Sequence, residues 1–264
     1  MVGHHKHQRN HYSPDLESGS VGGGGGGGVG YSNLDSSGFT DSFSRVSIRN
    51  AFIRKVYGIL AMQFAFTTLV ILLIRYNKDF NEYFSGPKGN IIYIASLVGY
   101  LVIYFILMCC ESCRRTVPNN YVLLTIFTFF MSITLGCVCL QYDSDTVMYA
   151  AGLTFIVCLL VSIFSATTSF DFTKWSWIMF IVLIIFFVAG IAMMFIQNRT
   201  TQIIYAAIGV VIFTIYLAID TQAIMGGREI EISPEEYIMA VIQLYINIVN
   251  LFILILRLIS LSRN

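Results

Sequence analysis

Charge is what this sequence has least of. Only 12% of its 264 residues are charged, 56% are hydrophobic and the mean hydropathy is +0.72. Ordinary soluble domains carry about a quarter charged residues, so an ordinary soluble fold is excluded. The net charge is +1, which leaves no global basic field to attract nucleic acid. Histidine is confined to His4, His5, His7 and His11, so none is left for catalysis or metal binding in the rest of the chain. There are only four prolines against 21 phenylalanines, which suits long helices in lipid. The glycine run Gly22–Gly28 lacks the Lys-Ser/Thr end of a phosphate loop. No metal-ligand set and no nucleophile–base pair occurs in the apolar runs, so an enzyme is the least favoured class and no cofactor is expected. The start, MVGHHKHQRNHYSPDLESG, has no apolar core and reads as carrying no cleavable signal peptide. The first hydrophobic span is then expected to serve as both targeting signal and anchor.

What is present is a polar tail followed by seven apolar runs. Residues 1–45 are rich in His, Ser, Gly and Asp; such a segment buries too little apolar surface to offset its ordering entropy, and a disordered cytosolic tail is expected. The apolar runs are Val56–Ile74, Ile91–Cys110, Tyr121–Gln141, Val147–Thr167, Trp175–Gln197, Ile203–Met225 and Tyr237–Ile259. Each is about 20 residues, the length a helix needs to cross the hydrocarbon core. Backbone groups in lipid must be paired internally, which leaves helices. The expected fold is an all-α integral membrane protein over residues 46–264, its helices antiparallel and joined by short connections.

Lysine and arginine set the expected orientation. Ten fall in the tail and the second, fourth and sixth connections, with Arg45, Arg49, Arg54 and Lys55 crowded before the first span; six fall on the other side. The positive-inside rule then puts the N-terminus in the cytosol. Asn198-Arg199-Thr200 is a glycosylation sequon on the opposite, luminal side, so Asn198 is a candidate acceptor close to the membrane. Seven full spans put the C-terminus on the luminal side; a re-entrant last helix is the alternative.

Six cysteines are present. Cys137, Cys139 and Cys158 sit within apolar runs as packing residues. Cys109, Cys110 and Cys113 stand where the second run meets Glu111, Arg114 and Arg115. Juxtamembrane S-palmitoylation is the functional reading of these three, plain structural thiols the alternative. The CxxC could suggest metal or redox chemistry, but without a second pair or a histidine it is a weak sign of either.

Two features carry the chemistry. In the last run, Glu236, Gln243, Asn247, Asn250 and Arg257 fall within roughly an 80° arc at 100° per residue, opposite a face of Ile, Leu, Val and Phe. Such a stripe faces the bundle interior or a hydrated path, or bonds neighbouring helices as structural glue. Ser233-Pro234-Glu235-Glu236 reads as that helix's start, with Glu236 completing a capping box. The second feature is Asp220, in IYLAIDTQAIMGG, about one and a half turns inside the end of the sixth run. Burial disfavours its charged form and a neighbouring arginine favours it. Arg114, Arg115 and Asp171 are expected at the same cytosolic level. A proton switch and a buried structural ion pair both fit this pattern.

Several separated segments, in order, then point to a family. IYLAIDTQAIMGG, SPEEYIMAVIQLYINIVNLFILILRLIS, NAFIRKVYGILAMQF, CRRTVPNNYVLL and SFDFTKW resemble the lifeguard branch of the transmembrane Bax-inhibitor-motif family, over about residues 46–264. The resemblance implies six helices wrapped around a central C-terminal seventh. It implies a pH-sensitive calcium leak in internal membranes, endoplasmic reticulum or Golgi, and suppression of cell death; the plasma membrane is a further candidate. Calcium would be the transported ion, and the bilayer and cell-death regulatory membrane proteins the partners. The family's pH sensor is a pair of aspartates; the first maps onto Asp220, and the arginine that latches it maps onto Arg114. The second does not carry over, because LYLD reads Leu244-Tyr245-Ile246-Asn247 here. Asparagine cannot ionise and offers both donor and acceptor at every pH. No proton-sharing carboxyl pair can form, and pH gating that is weaker or shifted to more acidic pH is expected. A non-conducting regulator acting through partners is the competing reading. A seven-helix receptor fits poorly, with its N-terminus predicted in the cytosol and a very short third connection.

Overall fold

The computed structural model describes residues 36–196 and 198–263, with side chains from Ser44 onward. The chain divides into two compact units, residues 1–40 and 41–264. The four histidines of the expected tail lie outside the described residues. The tail reading ran to residue 45, yet the first helix starts at Ser36. Once a long helix is nucleated, each added residue gains a hydrogen bond, so polar residues extend it upstream of the apolar run.

All regular structure among the described residues is helical. The helices are α1 (Ser36–Tyr76), α2 (Lys78–Ser85), α3 (Gly89–Cys109), α4 (Glu111–Arg115), α5 (Asn119–Leu140), α6 (Ser144–Thr167), α7 (Ser176–Met193), α8 (Arg199–Met225) and α9 (Tyr237–Arg263). Seven are long and apolar enough to cross a membrane, each overlapping one of the seven predicted runs. Two short helices were not predicted. α2 fills the first connection and is held at its start by Asn77, whose side chain accepts from the amides of Asp79 and Phe80. α4 lies between α3 and α5.

The last helix runs through the core. Its buried residues include Ile238, Val241, Ile242, Leu244, Tyr245, Leu251 and Leu256. It packs on α5, α6 and α8, while α3 packs on α5 and α7 on α8. Close approach of α8 to its neighbours depends on Gly209, where a Cβ would lie 2.5 Å from Phe186 Cζ and 2.8 Å from Leu254 Cδ1. Small residues at such crossings let helices meet in lipid, where apolar burial between helices gives little net drive.

A buried polar ladder ties α1, α5 and α9. Gln63 Nε2 donates to Thr128 Oγ1 at 2.7 Å. One turn along, Thr67 Oγ1 lies 3.0 Å from Ser132 Oγ and 2.7 Å from the Tyr245 hydroxyl. The Tyr245 ring packs on Phe64 and Phe127, with centroids 5.1 and 5.9 Å away. Tyr245→Phe keeps that packing and removes one rung; a loss of about 1 kcal/mol is expected, read by thermal unfolding in detergent. An unchanged transition would show that the ladder does not stabilise the bundle.

Candidate functional site

The site is built at the end of α8. Leu217 to Ile224 is an unbroken buried stretch, and three of its residues are polar. Asp220 is buried, and its Oδ2 accepts a hydrogen bond from Asn247 Nδ2 of α9. The Tyr57 hydroxyl of α1 lies near Thr221 and Ser162 and within electrostatic reach of Asp220. Tyr216, one turn before Asp220, has a hydroxyl without a hydrogen-bond partner among the described residues. Gln222 grips the connection after α6: its Nε2 donates to the carbonyls of Ser165 (3.2 Å) and Phe170 (2.8 Å), and its Oε1 accepts from the Phe172 amide (2.7 Å).

Beyond Met225, two glycines at φ 78° and 73° turn the chain, a left-handed conformation that glycine adopts without strain. The returning loop is held from two sides. Arg49, on α1, donates to the carbonyls of Ile224 (3.4 Å) and Ile232 (2.8 Å) and pairs with Glu231. Asp171 Oδ1 accepts from the Thr173 hydroxyl (2.6 Å) and amide (3.0 Å), and its Oδ2 from the Glu229 amide (3.2 Å). Next to α9, Glu236 receives both Arg114 (2.8 Å) and Arg115 (2.7 Å). Arg114 also donates to the carbonyls of Leu107 (2.8 Å) and Met108 (2.7 Å) at the end of α3. Lys55 Nζ sits 3.3 Å from the centroid of the Tyr237 ring, a cation–π contact.

The family described as "Inhibitor of apoptosis-promoting Bax1" matches residues 49–264. The chain belongs to this family. Two relatives of different origin are each 34% identical. One is "Protein lifeguard 3" of Homo sapiens, aligned over 216 residues, 80% of this chain and 68% of the relative. The other is "Golgi anti-apoptotic protein" of Vaccinia virus (strain Lister), aligned over 217 residues, 82% of this chain and 88% of the relative.

Of the residues singled out in the sequence, Asp220 and Asn247 are brought together. Arg114 is not on Asp220; its bonds go to Glu236 and to the α3 carbonyls, which lie at the level where α9 begins, whereas Asp220 is deeper in α8. The capping box is also absent. Ser233 makes no side-chain cap bond, and Pro234–Glu236 forms a 3-10 turn before α9. The Glu236 carboxylate instead makes charge-assisted bonds to two guanidiniums, which are roughly twice as strong as neutral ones. Gln243, Asn247, Asn250 and Arg257 are all half-buried along one face of α9. Asn250 donates to its own helix at Ile246 (2.9 Å), and Arg257 acts electrostatically on Tyr142 and Tyr205. Cys110 and Cys113 are joined in a disulfide, and Cys109 is a free, exposed thiol. Asn198 caps α8, accepting from the amides of Thr200 and Thr201. No cluster of three or more His, Cys, Asp or Glu is placed to hold a metal among the described residues.

Sequence reasoning missed Gln222, Arg49 and the ladder of Gln63, Thr67, Thr128, Ser132 and Tyr245. A signal existed for the ladder. Gln63 and Thr67, like Thr128 and Ser132, are spaced i, i+4, which stacks two polar groups on one helix face.

Asp171 supplies a test of the loop. The Thr173 hydroxyl above all, with the Glu229 and Thr173 amides and the Lys174 charge, holds its carboxyl below the usual carboxylate value. A group so lowered stabilises the fold fully above its unfolded value, about 3.9, and loses that contribution as pH falls through its folded value. The Glu229 amide is therefore expected to be protected from hydrogen exchange above about pH 4 and to open at lower pH. Asp171→Asn should remove the pH dependence; an identical profile in the variant would show that Asp171 does not hold the loop.

Proposed function

We propose that this chain regulates cell death from an internal membrane by leaking calcium, with Asp220 as the pH-responsive element of the gate. The observation that carries the reading is the Asp220–Asn247 bond. It places a carboxylate, buried in a helix of membrane-spanning length, against a polar stripe on the core helix. An ionisable residue at such depth is expensive and marks an ion or proton path. The stripe supplies further polar groups for a hydrated cation: Gln243, Asn247 and Asn250, half-buried in succession along α9. The names of the relatives support the anti-apoptotic part of the reading, and the vaccinia relative's name favours the Golgi over the endoplasmic reticulum. The arginines gathered in the first half of α1, ahead of its apolar run, favour a cytosolic N-terminus.

The gate would work through the Asp220–Asn247 contact. An ionised Asp220 accepts from the asparagine amide. A protonated Asp220 can donate to the asparagine carbonyl after the amide turns over. Both states keep the helices joined, so the pH response is weaker than that of two facing carboxyl groups, which repel when both are ionised. Asn247→Asp restores that repulsion.

The test is calcium flux in liposomes holding the purified full chain, across about pH 5 to 8, a range that brackets perturbed carboxyl groups. Wild type should leak with a several-fold pH dependence. Asp220→Asn should flatten the profile, and Asn247→Asp should steepen it. One observation favours the competing regulator: the position facing Asp220 is a neutral amide, so the path lacks a second carboxylate at this level. Folded wild-type protein that passes no calcium at any pH would overturn the leak and leave a non-conducting regulator that works through membrane protein partners.

A further inference from the structure

The turn between α3 and α5 carries a chemistry that the gate does not use. Cys110 is the residue that ends α3 and begins α4, and its carbonyl accepts from the amides of Cys113 (3.1 Å) and Arg114 (3.3 Å). The disulfide to Cys113 closes this same turn. α4 has five residues and buries none of them. A helix so short has no stability of its own; two things hold it, the cross-link at its start and the arginines at its end. Those arginines are Arg114 and Arg115, and both end on Glu236, the residue before α9. The backbone of the turn is fastened as well, because the Asn120 amide donates to the Arg114 carbonyl (3.1 Å) and to the Tyr237 hydroxyl (2.7 Å). One path therefore runs from the two sulfurs through two residues of chain to the first turn of the core helix. Glu236 is eleven residues, about three turns, ahead of Asn247.

We propose that Cys110 and Cys113 form a reversible thiol-oxidation site, which takes a low-molecular-weight disulfide of the glutathione type and whose closure fastens α4 to the start of α9. The site rests on the cytosolic placement of this end in the function proposed above. There, thiols are kept reduced and a disulfide is transient or sensing; on the luminal side it would stay closed. Both cysteines are half-buried, open enough for a small disulfide to reach one of them. The chemistry is thiol–disulfide exchange. One cysteine thiolate attacks a sulfur of the small disulfide, forming a mixed disulfide and releasing one small thiolate. The second cysteine thiolate attacks the protein sulfur of that mixed disulfide. The Cys110–Cys113 bond forms, and a second small thiolate leaves. Two protein thiols are oxidised, one small disulfide is reduced to two thiols, and the two protons pass to them. Reduction reverses each step. The open turn then holds Arg114 and Arg115 less firmly, and the first turn of α9 loosens.

The experiment uses the full chain in lipid nanodiscs, equilibrated with glutathione and glutathione disulfide over several decades of their ratio. Differential alkylation and peptide mass give the state of each cysteine, and hydrogen exchange gives the protection of residues 111–116 and 235–240. The expected result is a pair that passes from open to closed within that range, with protection of 235–240 rising several-fold on closure. Cys113→Ser should hold the open pattern at every ratio, and Cys109→Ser should behave as wild type. Three results overturn the proposal: thiols that never pair, a disulfide that persists in the most reducing mixture, or closure that leaves 235–240 unchanged. The titration of wild type needs no variant to fold, and none of these readings involves calcium, so a failure here is separate from a failure of the leak.

Discussion

The end of a membrane helix leaves carbonyl groups without intrahelical partners, and the rest of this structure is arranged around filling them. Five spanning helices end on an arginine from another segment. Arg114 takes the last carbonyls of α3, and Arg75 reaches Cys139 (2.8 Å) in α5 and Tyr142 (2.9 Å) just beyond it. Arg228 closes α6 at Thr168, Arg49 reaches Ile224 in α8, and Arg199 doubles onto Leu261 in α9 at 2.6 and 2.9 Å. A cation at a helix C-terminus also meets the negative end of the helix dipole. Arginine suits the task better than lysine, because its planar fork donates in several directions at once and stays charged. These five arginines are thus structural fastenings.

That arrangement explains how α9 can carry polar groups through the core. Its start is fixed by Glu236 under two arginines, its middle by Tyr245 in the ladder, and its end by Arg199 and by Arg263, which donates to Thr146 (3.1 Å). Each anchor pairs a polar group that lipid would otherwise leave costly. Between them, Asn247 is free to face Asp220.

The seven spans were legible because a run of about 20 apolar residues has one stable form in a bilayer. Asp220 and Asn247 were legible as neighbours through the family resemblance, which pairs these two positions; 100° per residue puts Asn247 on the polar stripe but singles out no partner for Asp220. The destination of Arg114 was not, since Glu236 and Asp220 both lie near the same end of the bundle and a sequence gives no depth between them. α2 escaped because eight residues are too few for a hydropathy run. The ladder escaped because threonine and serine are unremarkable in membrane helices until their i, i+4 pairs on α1 and α5 are seen to face each other. Gln222 was hidden by the aspartate two residues before it.

The last buried turn of α8 shows why the three polar residues of Ile219-Asp220-Thr221-Gln222 stand side by side. Successive residues on a helix diverge by 100°, so three in a row sweep about 200° of its circumference. Asp220 meets α9, Thr221 meets Tyr57 on α1, and Gln222 meets the connection from α6 to α7. No i, i+3 or i, i+4 pattern can reach three neighbours at one depth, because those spacings stay on one face. Asp220 therefore lies at a level where α8 meets α9, α1 and the connection from α6 to α7. The same turn is followed by Gly226, Gly227 and a loop held by Arg49 and Asp171, so a shift of α8 along its axis is opposed at its end by bonds to α1 and to the connection before α7. The carboxylate sits in a turn that faces three neighbours, and Asp220 is the one ionisable group between Leu217 and Ile224.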